Sequence, residues 1–194
     1  MSELWLVRHG ETDWNRERRL MGQLDIPLNA EGMRQAAGLA ASLQGQPFDV
    51  LVSSELLRAR QTAETLAAAL NLPLHLDPRL REEHLGAWQG LTIDEIQARY
   101  PGQWEQRRAA PPDFRPPGGG ETIAEMAARA CAAVDEIAAA HPQGRVLVVS
   151  HGILIAALLC RANNLPLARI FEHNPANARA EVVRWPPAGH RSQP

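Results

Sequence analysis

The sequence predicts an α/β fold, a three-layer sandwich in which a mainly parallel central sheet carries helices on both faces. Short continuous apolar runs at 4–7, 50–52 and 146–149 are typical of strands that are buried on both faces. Longer segments with helical periodicity separate them, and this alternation favours parallel strands joined by helical crossovers. A chain of 194 residues, 45% of them hydrophobic, predicts one domain, 1–194, with a sizeable core.

The same patterns predict the individual elements. Strands are expected at 4–8, 50–53, 74–76, 145–150 and 180–184, and helices at 30–43, 54–70, 92–99, 122–140 and 153–162. Two of the helix starts carry capping boxes, Thr92 with Glu95 and Thr122 with Glu125. Ser54 is a candidate N-cap for the helix 54–70, because its hydroxyl can accept a hydrogen bond from an orphan backbone N–H.

The segment from about 100 to 120 departs from this alternation. Prolines and three consecutive glycines are expected to break regular structure there, and arginine and aromatic side chains lie among them. Because long loops in compact domains are commonly functional, we predict a small lid insert over the ligand crevice. A passive connection is the alternative. The polar, proline-containing tail from about 186 to 194 is expected to be flexible.

Two predicted strands each end in a histidine followed by glycine. The first strand leads into Arg8-His9-Gly10-Glu11, and the strand 145–150 leads into Ser150-His151-Gly152. Ligands of α/β sheets bind at the carboxyl ends of such strands, so we expect the two imidazoles to meet in one crevice. The guanidinium of Arg8 suits a phosphoryl group, and a neutral imidazole is a nucleophile available near pH 7.

Further candidates follow the second strand and occupy a loop near residue 82. Arg58 and Arg60 cannot both face one pocket, because residues two apart on a helix point about 200° apart, and we favour Arg58. The charged, glycine-punctuated stretch 80–90 contains Glu82 and Glu83. Either carboxyl group is a candidate to give a proton to a leaving oxygen and then take one from water. An exposed charged loop is the alternative.

Several other function classes are disfavoured. The seven histidines raise the question of a metal, but no His-Glu-x-x-His occurs and neither Cys131 nor Cys160 belongs to a Cys-x-x-Cys pair. A formal net charge of -2 makes nucleic acid an unexpected partner. No apolar run is long enough to span a bilayer, and no signal peptide is recognisable, so we expect no membrane association and a cytoplasmic location.

In combination, these residues resemble the histidine phosphatase superfamily, the phosphoglycerate mutase-like group that works through a phosphohistidine. The likeness extends from about residue 4 to 185, and within the superfamily it is strongest to small bacterial phosphatases such as α-ribazole phosphatase and broad-specificity phosphatases. The motifs that carry it are Arg8-His9-Gly10-Glu11-Thr12 with Trp14-Asn15, Ser53-Ser54 through Arg58-Ala59-Gln61-Thr62, Glu82 with Gly86, and Ser150-His151-Gly152. The resemblance implies a phosphoglycerate mutase-like fold that works without a metal or another cofactor.

The resemblance also implies a role for each site residue. His9 would be the nucleophile, oriented by a backbone carbonyl, and Glu82 would be the acid/base, with Glu83 as its neighbour. The groups expected to hold the phosphoryl oxygens are Arg8, Asn15, Arg58 and His151. Further substrate contacts are expected from Met21, Gly22, Gly152, Glu121 at the pocket edge, and the insert residues Arg107 and Arg115.

The resemblance implies a phosphomonoester hydrolase acting on a small phosphorylated metabolite. The first alternative is a cofactor-dependent phosphoglycerate mutase, which we disfavour because only about thirty residues separate Gly90 from Glu121, whereas the mutases carry longer lid segments there. The second alternative is a non-catalytic phosphate-binding regulatory protein on the same fold. A homodimer is left open.

Overall fold

A computed structural model describes residues 1–109 and 111–187. Its strands are β1 (Ser2–Arg8), β2 (Val50–Ser53), β3 (Leu74–Leu76), β4 (Arg145–Ser150) and β5 (Ala180–Trp185). They form one sheet in the order β3-β2-β4-β1-β5. The first four strands run parallel, and β5 pairs antiparallel with β1 at the edge. Arg8 pairs with Ser150 at the end of the β1–β4 ladder, so the residues that follow the two strands emerge side by side.

The α-helices are α1 (Asp13–Arg16), α2 (Ala30–Ser42), α3 (Leu57–Leu70), α4 (Ile93–Arg99), α5 (Gln103–Ala109), α6 (Ile123–Ala140) and α7 (Gly152–Ala162). Short 3₁₀ segments occur at Pro78–Leu80, Gly86–Trp88 and Leu167–His173. Thr92 and Thr122 close the predicted capping boxes at the starts of α4 and α6.

Two hydrophobic clusters cover the two faces of the sheet. Leu4 and Leu6 of β1 point into the cluster formed with α6 and α7. Trp5 and Val7 of the same strand pack into the opposite cluster, which includes α2 and α3. Successive strand residues alternate in direction, so a continuous apolar run is required wherever helices cover both faces. The predicted three-layer α/β sandwich with a mainly parallel sheet is confirmed.

The prediction that Ser54 caps helix 54–70 is wrong. Helix α3 begins at Leu57, and its N-cap is Leu56, which makes no side-chain capping bond. The backbone N–H of Leu56 donates to the Ser54 hydroxyl at 3.3 Å, so the serine supports the turn that precedes the helix. Its main partner belongs to the site described below.

The insert at 100–120 contains more regular structure than predicted. Helix α5 lies within it, despite the surrounding prolines. Aromatic side chains of the insert pack into a third cluster around Trp88. The ring centroid of Trp88 lies 5.2 Å from that of Phe114 and 5.9 Å from that of Trp104. From residue 188 onward, the predicted flexible tail lies outside the described residues.

Candidate active site

A cavity of about 260 Å³ opens at the carboxyl ends of β1, β2 and β4. Most of the site residues expected from the sequence line it, although they come from five separate segments. These residues are Arg8, His9, Asn15, Met21, Gly22, Arg58, Glu82, Arg107 and Gly152. The structure therefore brings these groups together at the carboxyl edge of the sheet.

The two histidines lie next to each other: His9 lines the cavity, and His151 is not among its lining residues. Their ring centroids are 5.4 Å apart, and both side chains are buried. Nδ1 of His9 lies 2.7 Å from the Gly10 carbonyl oxygen. A carbonyl can only accept, so Nδ1 carries the proton and Nε2 keeps its lone pair. The expected orientation of His9 by a backbone carbonyl is confirmed.

Both imidazoles are held in the neutral form. Burial, followed by the positive charges of Arg58 and Arg8, lowers the pKa of His9 well below its ordinary value. Burial and the Arg58 charge likewise lower the pKa of His151. A buried imidazole beside cations is costly to protonate, so His9 presents an unprotonated nitrogen at neutral pH.

His151 is oriented by Ser54 from the end of β2. Its Nε2 lies 2.8 Å from the Ser54 hydroxyl oxygen, which also receives the N–H of Leu56. When the hydroxyl donates its proton to Nε2, Nδ1 carries the ring proton. Among the described residues, the buried Nδ1 of His151 has no hydrogen-bond partner. In that tautomer, Nδ1 is a donor whose acceptor is not supplied by the described part of the chain.

Backbone carbonyls hold the two arginines of the site. Arg58 donates to the carbonyls of Gly22 and Leu24 at 2.7 and 2.8 Å, and Arg8 donates to Pro175 at 2.7 Å. Carbonyls fix the guanidinium groups without neutralising them. Burial lowers the pKa of Arg58 to about 10, so the group stays cationic at neutral pH.

Arg60, in contrast, makes an ion pair with Glu64 on the outer surface of α3. Arg58 is 1% exposed and lines the cavity, so the preference for Arg58 is confirmed. Gly22 lines the cavity and its carbonyl binds Arg58, so its expected contact with a substrate stays a prediction.

The Glu82 carboxylate sits against the N-terminus of α7. Oε2 accepts from the Ile153 N–H and Oε1 from the Leu154 N–H, each at 3.1 Å. His151, the N-cap of this helix, makes no side-chain capping bond, so Glu82 satisfies orphan helix donors in its place. Glu82 is therefore a fixed group at the cavity and not part of a freely exposed charged loop.

Arg129 of α6 holds the loop that carries Glu82. Its guanidinium donates to the carbonyls of Arg79 and Arg81 at 2.7 Å and to the carbonyl of Glu82 at 3.0 Å. Glu121 binds the same guanidinium through both carboxylate oxygens, at 2.7 and 2.8 Å. Glu121 lies behind the acid loop, and it is not among the residues that line the cavity.

The other predicted insert residues divide between two places. Arg107 lines the cavity and binds Glu83 through two hydrogen bonds of 2.6 and 2.5 Å. Burial raises the pKa of the Glu83 carboxyl, and Arg107 opposes that rise. Arg115 instead pairs with Glu125 and donates to the Gly120 carbonyl at 2.7 Å. The structure does not bring Arg115 to the described cavity wall.

Three remaining predicted residues line the cavity in different ways. The carboxamide oxygen of Asn15 accepts from the Thr12 N–H at 3.0 Å, which leaves the NH₂ end to donate to a ligand. The sulfur of Met21 accepts from the Thr12 hydroxyl at 3.3 Å. A side chain on Gly152 would place Cβ 2.4 Å from Oδ1 of Asn174, so it would displace the Asn174 side chain beside Arg8.

Sequence reasoning missed Arg129, Phe171 and Asn174. Asn174 accepts from Arg8 at 3.3 Å, and the Phe171 ring lies under the Arg107 guanidinium, 5.4 Å from its carbon to the ring centroid. Phe171 and Asn174 fall in or just after the 3₁₀ segment Leu167–His173, which has no clear periodicity. The aromatic residue and the Asn174-Pro175 pair were the available signals.

Within residues 1–109 and 111–187, no group of three or more histidine, cysteine or acidic side chains is arranged to hold a metal ion. The same residues contain no helix long and apolar enough to cross a membrane.

The sheet order and the histidine-lined crevice define a protein of the phosphoglycerate mutase-like fold. The model of the histidine phosphatase superfamily (branch 1) matches residues 4–193. The chain belongs to this superfamily, as its motifs predicted.

Some of the proteins similar to this chain are named as mutases, and others are named as phosphatases. A probable phosphoglycerate mutase of Proteus mirabilis is 39% identical over 166 residues, covering 86% of this chain and 77% of the relative. A metal-independent phosphoserine phosphatase of Arabidopsis thaliana is 37% identical over 163 residues, covering 83% of this chain and 68% of the relative.

Solved structures agree over nearly the whole chain. A mycobacterial glucosyl-3-phosphoglycerate phosphatase complexed with VO₃ has a TM-score of 0.84 at 34% identity, covering 97% of this chain and 100% of the other. The α-ribazole phosphatase of Shigella flexneri, a kind of relative that the motifs indicated, has a TM-score of 0.84 at 26% identity, covering 93% and 89%. The chain therefore belongs to a superfamily whose members similar to it include phosphatases.

Proposed function

We propose that the protein is a metal-independent phosphomonoester hydrolase that forms a phosphohistidine on His9 and releases inorganic phosphate from a small metabolite. The observation that carries this proposal is the neutral, buried His9 next to Arg8 and Arg58. Such a group is a nucleophile at neutral pH, and the two cations attract the phosphoryl group that it would attack.

In the first step, Nε2 of His9 attacks the phosphorus atom and the bond from phosphorus to the ester oxygen breaks. Protonated Glu82 gives its proton to that departing oxygen, so the leaving group departs as a neutral alcohol. The hydrogen bond from Nδ1 to the Gly10 carbonyl supports this step, because it stabilises the positive charge that the ring gains on phosphorylation.

The transferring phosphoryl group spreads negative charge over three oxygens, so aligned donors stabilise the transition state. Arg8 and Arg58 would supply charge, and the NH₂ group of Asn15 would supply a neutral donor. Nδ1 of His151, which has no partner among the described residues, would be a further donor when Ser54 donates to Nε2. Carbonyls and Ser54 already hold these groups, so little reorganisation is needed when substrate binds.

In the second step, the Glu82 carboxylate takes a proton from water, and the resulting nucleophile attacks phosphorus. The bond from phosphorus to Nε2 breaks, phosphate leaves, and His9 returns to its neutral form. Glu82 is protonated again, so the cycle closes without a metal or another cofactor.

To test the proposal, the enzyme is first treated with a chelator. It is then mixed rapidly with phenyl phosphate, and the reaction is quenched with acid or alkali. We expect an acid-labile, alkali-stable phosphoenzyme and stoichiometric phosphate release. Both should be lost in His9→Ala and retained in His75→Ala, which changes an exposed histidine of β3. Turnover by His9→Ala would contradict the proposal. So would a loss of wild-type activity after chelation if added zinc restored that activity.

The named mutase among the relatives favours one second candidate, a phosphoglycerate mutase. The same enzyme is therefore mixed with 3-phosphoglycerate and 2,3-bisphosphoglycerate. Rapid exchange of 3-phosphoglycerate with 2-phosphoglycerate would make the protein a mutase. Phosphate release without exchange supports hydrolysis.

A further inference from the structure

We infer that the cavity selects phosphate monoesters whose leaving group is uncharged and apolar, and that the Glu83–Arg107 pair excludes leaving groups that carry a carboxylate. The inference rests on the proposed hydrolase activity and specifies its substrate class. It follows from the charges that line the cavity and from the side chains beyond the phosphoryl position.

Most of the positive charge in the described cavity wall either faces the phosphoryl position or is already paired with an acidic side chain. Arg8 and Arg58, which carbonyls hold, lie beside His9 and match the two negative charges of a phosphoryl group. Arg19 pairs with Glu95 at 2.8 Å and donates to the Gly90 carbonyl at 2.6 Å. The remaining cation of the wall is Arg107, so its availability decides whether a second anionic group can be bound.

The Glu83 carboxylate pairs with the Arg107 guanidinium. Two parallel hydrogen bonds of 2.6 and 2.5 Å join them, and the side chains are 1% and 4% exposed. If Arg107 turned toward a substrate carboxylate, Glu83 would be left buried without its charge partner, which is strongly unfavourable. The pair therefore presents little net positive charge to the cavity, and the Glu83 charge repels a second anion.

The ring of Phe171 holds the other side of Arg107. The guanidinium carbon lies 5.4 Å from the ring centroid, a distance at which a cation is attracted to an aromatic face. The guanidinium is thus held between a carboxylate and a ring. The neighbouring Arg108 is exposed and does not line the described cavity.

Apolar side chains form the wall around this pair. They are Leu20, Met21, Leu85, Trp104, Ile153 and Phe171. A leaving group that buries carbon surface against them gains binding free energy, and two aromatic rings favour a planar leaving group. An anionic group placed there would lose its hydration without gaining an available cation.

The experiment uses two matched pairs of esters with the intact enzyme. Phenyl phosphate is compared with 4-carboxyphenyl phosphate, and glycerol 3-phosphate with 3-phosphoglycerate. Within each pair, the second ester carries one carboxylate that the first lacks; in 3-phosphoglycerate it takes the place of a hydroxymethyl group. For wild type, we expect kcat/KM to be at least about tenfold higher for the uncharged member of each pair and highest for phenyl phosphate.

Glu83→Gln releases the charge of Arg107 while keeping the shape of the side chain. We expect this variant to shift the kcat/KM ratio about tenfold toward the carboxylate-bearing member of each pair. The double variant Glu83→Gln/Arg107→Gln contains no charge at either position and is the matched control, in which this gain should disappear. Circular dichroism and thermal unfolding check that each variant is folded.

The outcomes are distinguishable. Equal or higher kcat/KM of wild type for the carboxylate-bearing esters overturns the inference even if neither variant folds. An unchanged ratio in folded Glu83→Gln, or a gain that survives in the double variant, overturns the role of the pair. If wild type hydrolyses none of the four esters and forms no phosphoenzyme, the proposed function fails, and the inference fails with it.

Discussion

The hydroxyl oxygen of Ser54 lies 2.8 Å from Nε2 of His151, which joins the residues that follow the neighbouring strands β2 and β4. The serine is also buried, so water does not replace this contact. A hydroxyl that donates to Nε2 selects the ring form whose Nδ1 carries a proton. In the proposed mechanism, this proton is offered to a phosphoryl oxygen.

Replacing Ser54 by alanine should therefore lower kcat while the fold is retained. A hydrogen bond contributes about 0.5–1.5 kcal/mol, so we expect a decrease of about tenfold in kcat with phenyl phosphate. The control is Ser53→Ala, because the Ser53 hydroxyl is equally buried but donates to the Ser54 carbonyl at 2.8 Å. Equal effects of the two substitutions would contradict a specific role for Ser54.

Arg129 is expected to affect catalysis without touching substrate. Arg129→Gln removes the guanidinium that holds the carbonyls of Arg79, Arg81 and Glu82, so Glu82 should lose its position. We expect kcat to fall about 100-fold. The inhibition constant of inorganic phosphate, a competitive inhibitor that Arg8 and Arg58 would bind, should stay nearly the same.

Arg79→Gln is the matched control for Arg129. Its guanidinium contacts Asp77 and Glu136 near the surface, and surface ion pairs contribute little. A large rise in the phosphate inhibition constant of Arg129→Gln would instead indicate that the whole site had been disturbed.

Glu82→Gln should slow hydrolysis according to how much the leaving group needs a proton. General acid catalysis contributes about 10²–10⁴-fold, so the decrease should be large for glycerol 3-phosphate. It should be smaller for 4-nitrophenyl phosphate, whose leaving oxygen is a weak base. Kinetics of both esters are compared with those of Glu64→Gln, a change at an exposed ion pair of α3. The same decrease for both esters would argue against proton donation by Glu82.

The buried histidines should make the protein less stable in acid. The pKa values of His9 and His151 are lowered in the folded state, so between those values and about 6.5 the unfolded chain binds more protons. The free energy of unfolding therefore rises with pH in this window and decreases as the pH is lowered through it. Each imidazole contributes a slope of up to about 1.4 kcal/mol per pH unit.

The measurement is denaturant unfolding between pH 5 and 7 in phosphate-free buffer. His9→Gln should show a shallower dependence of the free energy of unfolding on pH than wild type, because one titrating group is removed. His75→Gln, at an exposed position of β3, should keep the wild-type slope. An unchanged slope in His9→Gln would mean that His9 does not stay neutral in the folded protein.

Local pattern was sufficient to predict much of the fold. The apolar runs of β1 and β4 are short and continuous because α2 and α3 cover one face and α6 and α7 cover the other. The capping boxes at Thr92 and Thr122 are also local, since donor and acceptor are three residues apart. The start of α3 was misjudged because Ser54 binds a histidine far along the chain, a contact that no local rule contains.

By itself, the sequence determined which chemical groups meet at the sheet edge. His9 and His151 each follow a buried parallel strand, and the helix period allows only one of Arg58 and Arg60 to face the crevice. Tertiary structure decided which of the remaining charges are available there. Arg129 binds Glu121 and the acid loop, Glu83 binds Arg107, and Arg115 turns to Glu125. These pairings depend on the packing of separate segments, because a buried charge takes the partner that the fold brings within reach.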